Sequence, residues 1–220
     1  MTITHHPSDE TLLRHAAATL SAGPALVVAV HLEGCETCRR RLLDFEAMGG
    51  ALLEAQPPQP MGPDALARAL ERLETVSAPP PRFAARPRPV SRHRGVGLDL
   101  PPSLQHCEIG RWRWGIPGFR WSPVTIPGCP DVRVVLLKGK AGLRLPLHGH
   151  AGTEYLQVLS GALSDERGRY LPGDFDEAGT EVDHRPAVDA DGECVCLAAL
   201  DGDTLPRGPL GRLLWPVIGF

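Results

Sequence analysis

Apolar residues recur at helical spacing through the first third of the chain. Ser8 is a good N-cap, and the helix that it starts has an apolar face made of Leu12, Leu13, Ala16 and Leu20. An almost wholly apolar run from 25 to 32 predicts a short, central second helix. A third helix is predicted from 36 to 54, with an inner face of Leu42, Leu43, Phe45, Leu52 and Leu53. The pattern therefore predicts a small helical unit at the start of the chain.

A proline-rich break at 57–63 precedes a fourth predicted helix. Asp64 can cap this helix, and Leu66, Leu70 and Leu73 follow the i, i+4, i+7 spacing of one apolar stripe. Such a stripe needs a groove that covers it. The groove can belong to the helical unit itself or to a partner protein, and the sequence favours neither.

From Leu98 onward the helical periodicity disappears, and short apolar runs are separated by glycine and proline. Runs of strand length are 111–116, 132–137, 155–159 and 194–200. Many short strands at this spacing predict a β-sandwich or barrel. The segment before them, Ser77–Arg94, has five prolines, five arginines and no acidic residue, which is typical of a semi-rigid, solvated linker.

These patterns predict a helical domain at 1–76, a linker at 77–97 and a β-domain at 98–220, with the two domains folding independently. The net charge of −3 is unlike that of a general nucleic-acid-binding protein, so proteins or small molecules are the expected partners. No apolar run approaches the roughly 20 residues that a membrane helix needs, and no signal peptide is evident. We therefore expect a cytoplasmic protein whose six cysteines form no disulfides.

One candidate metal site lies where the second predicted helix ends and the third begins. His31, Cys35 and Cys38 form an H-x3-C-x2-C motif, which suits a tetrahedral zinc ion with nitrogen and thiolate ligands. His6 is the favoured fourth ligand, and its neighbour His5 is the alternative. Three short helices bury little apolar area, so a metal that joins their ends would be structural. A C-x-x-C redox pair is the other interpretation, but no βαβ pattern surrounds it.

A second candidate site lies in the strand-rich half. His148 and His150 are two residues apart, so on a strand they share one face, and Glu154 enters from the start of the next strand. With the later His184 they would form a cage of three imidazoles and one carboxylate. Cys194 and Cys196 also share a strand face, where they are either core residues or part of the lining near the metal.

The second site lies in the pattern Gly142-x5-His148-x-His150-x3-Glu154-x6-Gly161, which matches the first motif of the cupin superfamily. The second motif matches less well, because Pro172-Gly173-Asp174 keeps its turn but His184 lies further downstream than usual. This resemblance implies an all-β cupin, that is, a double-stranded β-helix or jelly-roll barrel.

Both motifs together, in this order, resemble the ChrR-type zinc-binding anti-sigma factors over nearly the whole chain. The resemblance implies a zinc-stapled all-α domain, with zinc held by His6, His31, Cys35 and Cys38, followed by a cupin. The cupin would hold a second metal ion, most simply zinc, through His148, His150, Glu154 and His184. The implied function is to bind an extracytoplasmic-function sigma factor in a 1:1 complex and keep it from RNA polymerase. The cupin would serve the response to oxidative stress such as singlet oxygen.

The alternative function is that of a metal-dependent cupin enzyme such as a dioxygenase, because the same ligand set holds iron, manganese or nickel in other cupins. An enzyme needs open coordination positions and acid or base groups near the metal. No second carboxylate or lysine stands beside the cupin motif, so we expect a regulator and no enzyme.

Overall fold

The computed structural model describes residues 2–75 and 99–207, so the predicted linker at 77–97 and residues 208–220 lie outside the described residues. The first described part contains four helices: α1 (Asp9–Ala16), α2 (Ala22–Gly34), α3 (Glu36–Glu54) and α4 (Ala65–Thr75). The third helix has the predicted bounds. The first ends before Leu20, because Ala18 takes a left-handed conformation with φ of 53°, and the second begins three residues earlier than predicted.

The second described part is built from strands after a 3₁₀-helix at Pro102–Leu104. The strands are β1 (Glu108–Ile109), β2 (Arg113–Trp114), β3 (Phe119–Thr125), β4 (Val134–Gly139), β5 (His148–His150), β6 (Thr153–Ser160), β7 (Leu163–Asp165), β8 (Gly168–Tyr170), β9 (Phe175–Ala178), β10 (Ala187–Val188), β11 (Cys194–Asp201) and β12 (Thr204–Pro206).

Seven of these strands form one antiparallel sheet in the order β1-β3-β4-β11-β6-β9, with β2 paired to β3. Two smaller sheets, β10-β7-β8 and β12-β5, complete the described β-structure. Side chains of the large sheet that point toward the smaller sheets include Val135, Leu156 and Ala198, which pack with Leu163 of β7. The architecture is the predicted all-β cupin.

The opposite face of the large sheet is covered by helices. Val27 and Val28 of α2 share one hydrophobic core with Leu136, Leu197 and other residues of the outer sheet face. Gly23 of α2 lies very close to this side of the cupin, because a Cβ atom added at Gly23 would stand only 2.8 Å from Cγ1 of Val132. The central strand β11 is therefore buried on both faces, because its alternate residues point to the barrel interior and to the helices.

The sequence predicts two domains that fold independently, and it gives no indication of this shared core. The helices alone bury few residues, and α2 is apolar around most of its circumference. A helix of that kind is stable only where several neighbours cover it. The sheet supplies the cover that a three-helix unit lacks.

The predicted inner face of α3 is partly wrong. Leu42 and Phe45 pack against the core as expected. Leu43, Leu52 and Leu53 are exposed to solvent instead, and so are Leu66, Leu70 and Leu73 of α4. In residues 2–75 and 99–207 no helix is both long and apolar enough to cross a membrane.

Candidate metal centres

The four predicted residues of the helical site lie together. Their ligand atoms, one from each of His6, His31, Cys35 and Cys38, all lie within 4.8 Å of one another. His6 Nδ1 is 3.4 Å from the Sγ atoms of both Cys35 and Cys38, and His31 Nε2 is 3.3 Å from Cys38 Sγ. His5 points away from this cluster and stacks on the ring of Tyr170. The cluster therefore contains His6 and not His5.

Local structure places each of these side chains. His31 lies in the last turn of α2, and Cys35 is the N-cap of α3, where its sulfur accepts a hydrogen bond from the Cys38 backbone N–H. His6 comes from the extended segment before α1. The cluster therefore joins the ends of α2 and α3 to the N-terminal segment.

The distances fit a tetrahedral zinc ion. Zn–N and Zn–S bonds of about 2.0 and 2.3 Å imply N···S separations of roughly 3.5 Å around such an ion. Burial, followed by the hydrogen bond and charge of Cys35, raises the pKa of the Cys38 thiol to about 12. A bound cation would reverse that effect, because thiolates are the form that binds metal.

The second cluster lies inside the cupin. His148 and His150 are on β5, Glu154 is on β6, and His184 forms an isolated β-bridge with His148. Their ligand atoms also lie within 4.8 Å of one another, and all four side chains are buried. His184, the ligand that the cupin motif placed least well, therefore belongs to the cluster.

The imidazoles face one another in a way that suits a cation. His148 Nδ1 donates to the carbonyl of Pro146, and His184 Nδ1 donates to a carboxylate oxygen of Asp165. Each Nε2 then carries a lone pair, yet the two Nε2 atoms are 3.1 Å apart. Two lone pairs at this distance repel each other unless a metal ion lies between the two atoms or one of them carries a proton, and tetrahedral zinc with histidine ligands implies N···N separations of about 3.3 Å.

The protonation states favour metal binding near neutral pH. Burial lowers the pKa of His148 to about 4 and that of His150 to about 3, so both imidazoles are neutral there. Burial also raises the pKa of Glu154 to about 7. A carboxyl group that is costly to ionise when buried gains most from a neighbouring cation.

A network that the sequence did not indicate holds His184 in place. Asp165 accepts the proton of His184 Nδ1 at 3.1 Å, and Arg167 forms ion pairs with Asp165 and Asp176 at 2.8 and 2.6 Å. Burial opposes ionisation of Asp165, but the bonds from His184 and Arg167 outweigh it and lower its pKa. Asp165, Asp176 and His184 also cluster as possible ligands, and the Arg167 guanidinium already supplies the positive charge there. The spacing of Asp165, Arg167 and His184 carries no motif that could have revealed this network.

The sequence left two positions open for Cys194 and Cys196 of β11, in the core or in the lining near the second site, and the structure is compatible with both. Cys194 and Cys196 are buried in the barrel core, with their Sγ atoms 3.6 Å apart. They also line the same apolar cavity as His148 and Glu154.

The exposed large apolar side chains are concentrated in the helical part. Nine of the eleven found in residues 2–75 and 99–207 precede residue 75. The six exposed leucines of α3 and α4, which are 52–75% exposed, are Leu43, Leu52, Leu53, Leu66, Leu70 and Leu73. Exposed apolar side chains in such numbers make these two helices a candidate for contact with another protein.

Known proteins resemble this chain in both sequence and structure. Residues 103–201 match the family described as the ChrR cupin-like domain. The anti-sigma-E factor ChrR of Cereibacter sphaeroides is 36% identical over 218 residues, which cover 98% of each chain. A crystal structure of Rhodobacter sphaeroides SigE in complex with the anti-sigma ChrR matches with a TM-score of 0.69 and 35% identity, over 91% of this chain and 100% of that one. The chain therefore belongs to the ChrR family of anti-sigma factors.

Proposed function

We propose that this protein is an anti-sigma factor that binds an extracytoplasmic-function sigma factor in a 1:1 complex in the cytoplasm and keeps it from RNA polymerase. The observation that carries the proposal is the 36% identity to an anti-sigma factor over almost the entire length of both chains. The exposed leucines of α3 and α4 support it, because they provide an apolar surface that a partner can cover. The leucines of α4 are exposed in the chain alone, so we propose that a groove of the partner protein covers this helix, and not a groove of the helical unit itself.

In this proposal, His6, His31, Cys35 and Cys38 hold a structural zinc ion. A site with four protein ligands and no open position is typical of structural zinc. Its ligands come from the N-terminal segment, α2 and α3, so the ion would fix the relative positions of the elements that present the partner surface. The proposed division of the chain remains 1–76, 77–97 and 98–220.

The cupin would hold the second metal ion through His148, His150, Glu154 and His184, and we propose zinc there as well. Its proposed role is in the response to oxidative stress, in which the state of the cupin alters the hold on the sigma factor. The enzyme alternative is not favoured, because the full-length relative is an anti-sigma factor.

Co-expression with an extracytoplasmic-function sigma factor from the same genome tests the function. We expect a 1:1 complex on size-exclusion chromatography, two metal equivalents per chain, and repression of transcription from the sigma factor's promoters in vitro. A metal-loaded chain that neither co-elutes with such sigma factors nor represses their promoters would contradict the proposal.

The cupin site is expected to bind metal more tightly as the pH rises toward and above 7. With a pKa of about 7, Glu154 is increasingly protonated below that pH, and the metal must displace its proton. Burial lowers the pKa of His184, but Asp165 and Glu154 outweigh it and raise that pKa, which adds to the same trend. His148 and His150 are neutral above about pH 5 and add nothing to it. Affinity should therefore fall by about tenfold per unit below pH 7 for each proton displaced.

Manganese(II) is a suitable probe for this test, because imidazole and carboxylate sites accept it more readily than thiolate sites do. The free ion can be measured by electron paramagnetic resonance between pH 5.5 and 8. In Glu154→Gln the dependence should be shallower by one proton. An equally steep dependence in that variant would exclude Glu154 as the group that titrates.

A further inference from the structure

We propose that the cupin positions a ligand of the helical metal site, with Gln157 of β6 as the positioning residue that couples the two metal centres. This inference rests on the metal binding proposed above for the helical site, and it does not depend on sigma-factor binding. It adds to the proposed function a physical connection between the two halves of the chain.

The first observation is the environment of His31. Its Nε2 faces Cys38, while its Nδ1 lies 3.1 Å from Gln157 Oε1 and 3.1 Å from the carbonyl oxygen of Gly173. Both partners belong to the cupin and both are acceptors, so they hold the proton on Nδ1 and leave the Nε2 lone pair for the metal. Hydrogen bonds of this kind fix the orientation of a ligating histidine and raise its basicity.

The second observation is that the cupin also holds the segment that carries His6. Asp174 Oδ1 accepts hydrogen bonds from the backbone N–H groups of Thr4 at 2.7 Å and His5 at 3.0 Å. The Phe175 N–H donates to the His5 carbonyl at 3.1 Å, and the Phe175 ring packs edge-on against His31. Two of the four ligands are thus positioned by cupin groups that are not ligands themselves.

The third observation is that β6 lies between the two centres. Glu154 points into the barrel toward His150 and His184, whereas Gln157, three residues along, points out toward His31. Both side chains are buried, and β6 pairs in register with β9, so that Gln157 lies opposite Phe175. A shift of β6 that accompanies a change at Glu154 would move the hydrogen-bond acceptor of a ligand in the other site. A shared strand of this kind is one physical means by which two sites can have a coupling free energy.

Cobalt(II) binding isolates the helical site, because only that site has thiolate ligands and so gives a thiolate-to-cobalt charge-transfer band. Gln157→Leu in the full chain removes the acceptor and keeps a side chain of similar size. Since Gly173 still accepts one bond, we expect cobalt affinity at the helical site to fall about tenfold, the lower end of the usual effect of losing such a partner. Gln157→Glu retains an acceptor and should bind cobalt at least as tightly as the unaltered chain.

Ser21→Ala is the matched control, because it removes a different hydrogen bond between the two halves, from Ser21 to Asp201 Oδ1, far along α2 from the ligands. It should leave the cobalt affinity within about twofold of the unaltered chain. Failure of the unaltered chain to give the charge-transfer band would refute the helical metal site itself. A normal band in the unaltered chain, together with unchanged affinity in Gln157→Leu or weakened affinity in Gln157→Glu, would overturn the coupling alone.

Discussion

Replacing Cys38 with serine is expected to abolish both metal binding at the helical site and capture of the sigma factor. Cys38 is fully buried, and its sulfur faces both His6 and His31, so no other side chain can take its place. A serine hydroxyl does not provide the thiolate that zinc requires. Removal of a structural zinc site removes folding free energy, and α1 and the start of α3 have few other buried residues.

Co-purification with the sigma factor and metal analysis measure this outcome. We expect about one metal equivalent to remain, held by the cupin, and less than about one tenth of the sigma factor to be retained. Cys107→Ser is the matched control, since Cys107 is another buried cysteine of the same core and lies in neither cluster. A Cys38→Ser protein that lacks the helical metal but still holds the sigma factor would show that the metal is not structural for this function.

The second large effect is expected on the partner surface. The double variant Leu52→Asp, Leu70→Asp places a charge on α3 and on α4, at side chains that are 67% and 52% exposed. Because both are solvent-exposed, folding and metal content should be unchanged. Each central apolar contact of an interface contributes about 2 kcal/mol or more, so affinity for the sigma factor should fall by about a hundredfold or more.

Trp114→Gln provides the comparison, because Trp114 is 66% exposed but lies in the cupin. It should change the sigma-factor affinity by less than about twofold in a titration by fluorescence anisotropy. Equal binding by the leucine double variant and the unaltered chain would place the partner surface elsewhere, and a large loss in Trp114→Gln would extend it onto the cupin.

Both clusters could be predicted from the sequence because most of their ligands are close together along the chain. His31, Cys35 and Cys38 span eight residues at a helix junction, and His148, His150 and Glu154 span seven at a strand pair. Short spacings of this kind fix geometry through local structure alone. The distant members were predicted less sharply, because no fixed spacing ties them to the others: His5 stayed the alternative to His6, and His184 lay further downstream than the cupin pattern has it. The structure brings His6 and His184 to the two clusters.

The contact between the two halves could not be predicted in the same way, because it joins residues that are 70 to 180 positions apart along the chain. The sequence of β11 did hold one indication of this contact. The seven successive residues from Cys194 to Leu200 are all apolar, and all of them are buried in the structure. A strand with one solvated face shows alternation, whereas continuous burial means that both faces are covered. Among the described residues, the helices cover that second face.

Gln157 and Asp174, which position His31 and the segment that carries His6, could not be predicted for a related reason. Gln157 is a polar residue within the apolar run Tyr155–Leu159, and only the fold shows that its partner is His31. Asp174 was seen as part of a turn, and its bonds to Thr4 and His5 depend on the N-terminal segment returning to that turn. The exposure of Leu43, Leu52 and Leu53 could not be predicted from the sequence. A helix face that packs on its own chain has the same apolar pattern as one that packs on another protein.

The close approach of Gly23 to the sheet limits how freely the two halves can diverge in evolution. A Cβ atom at this position would meet Val132 at 2.8 Å, Val134 at 3.2 Å and Ala199 at 3.3 Å, so a larger residue requires smaller ones on the sheet. A chimera that joins these helices to the cupin of another family member is therefore expected to fold only if that cupin leaves the same space opposite Gly23. The cupin and the helices thus constrain each other's sequences through this packing, even though a long proline-rich segment separates them along the chain.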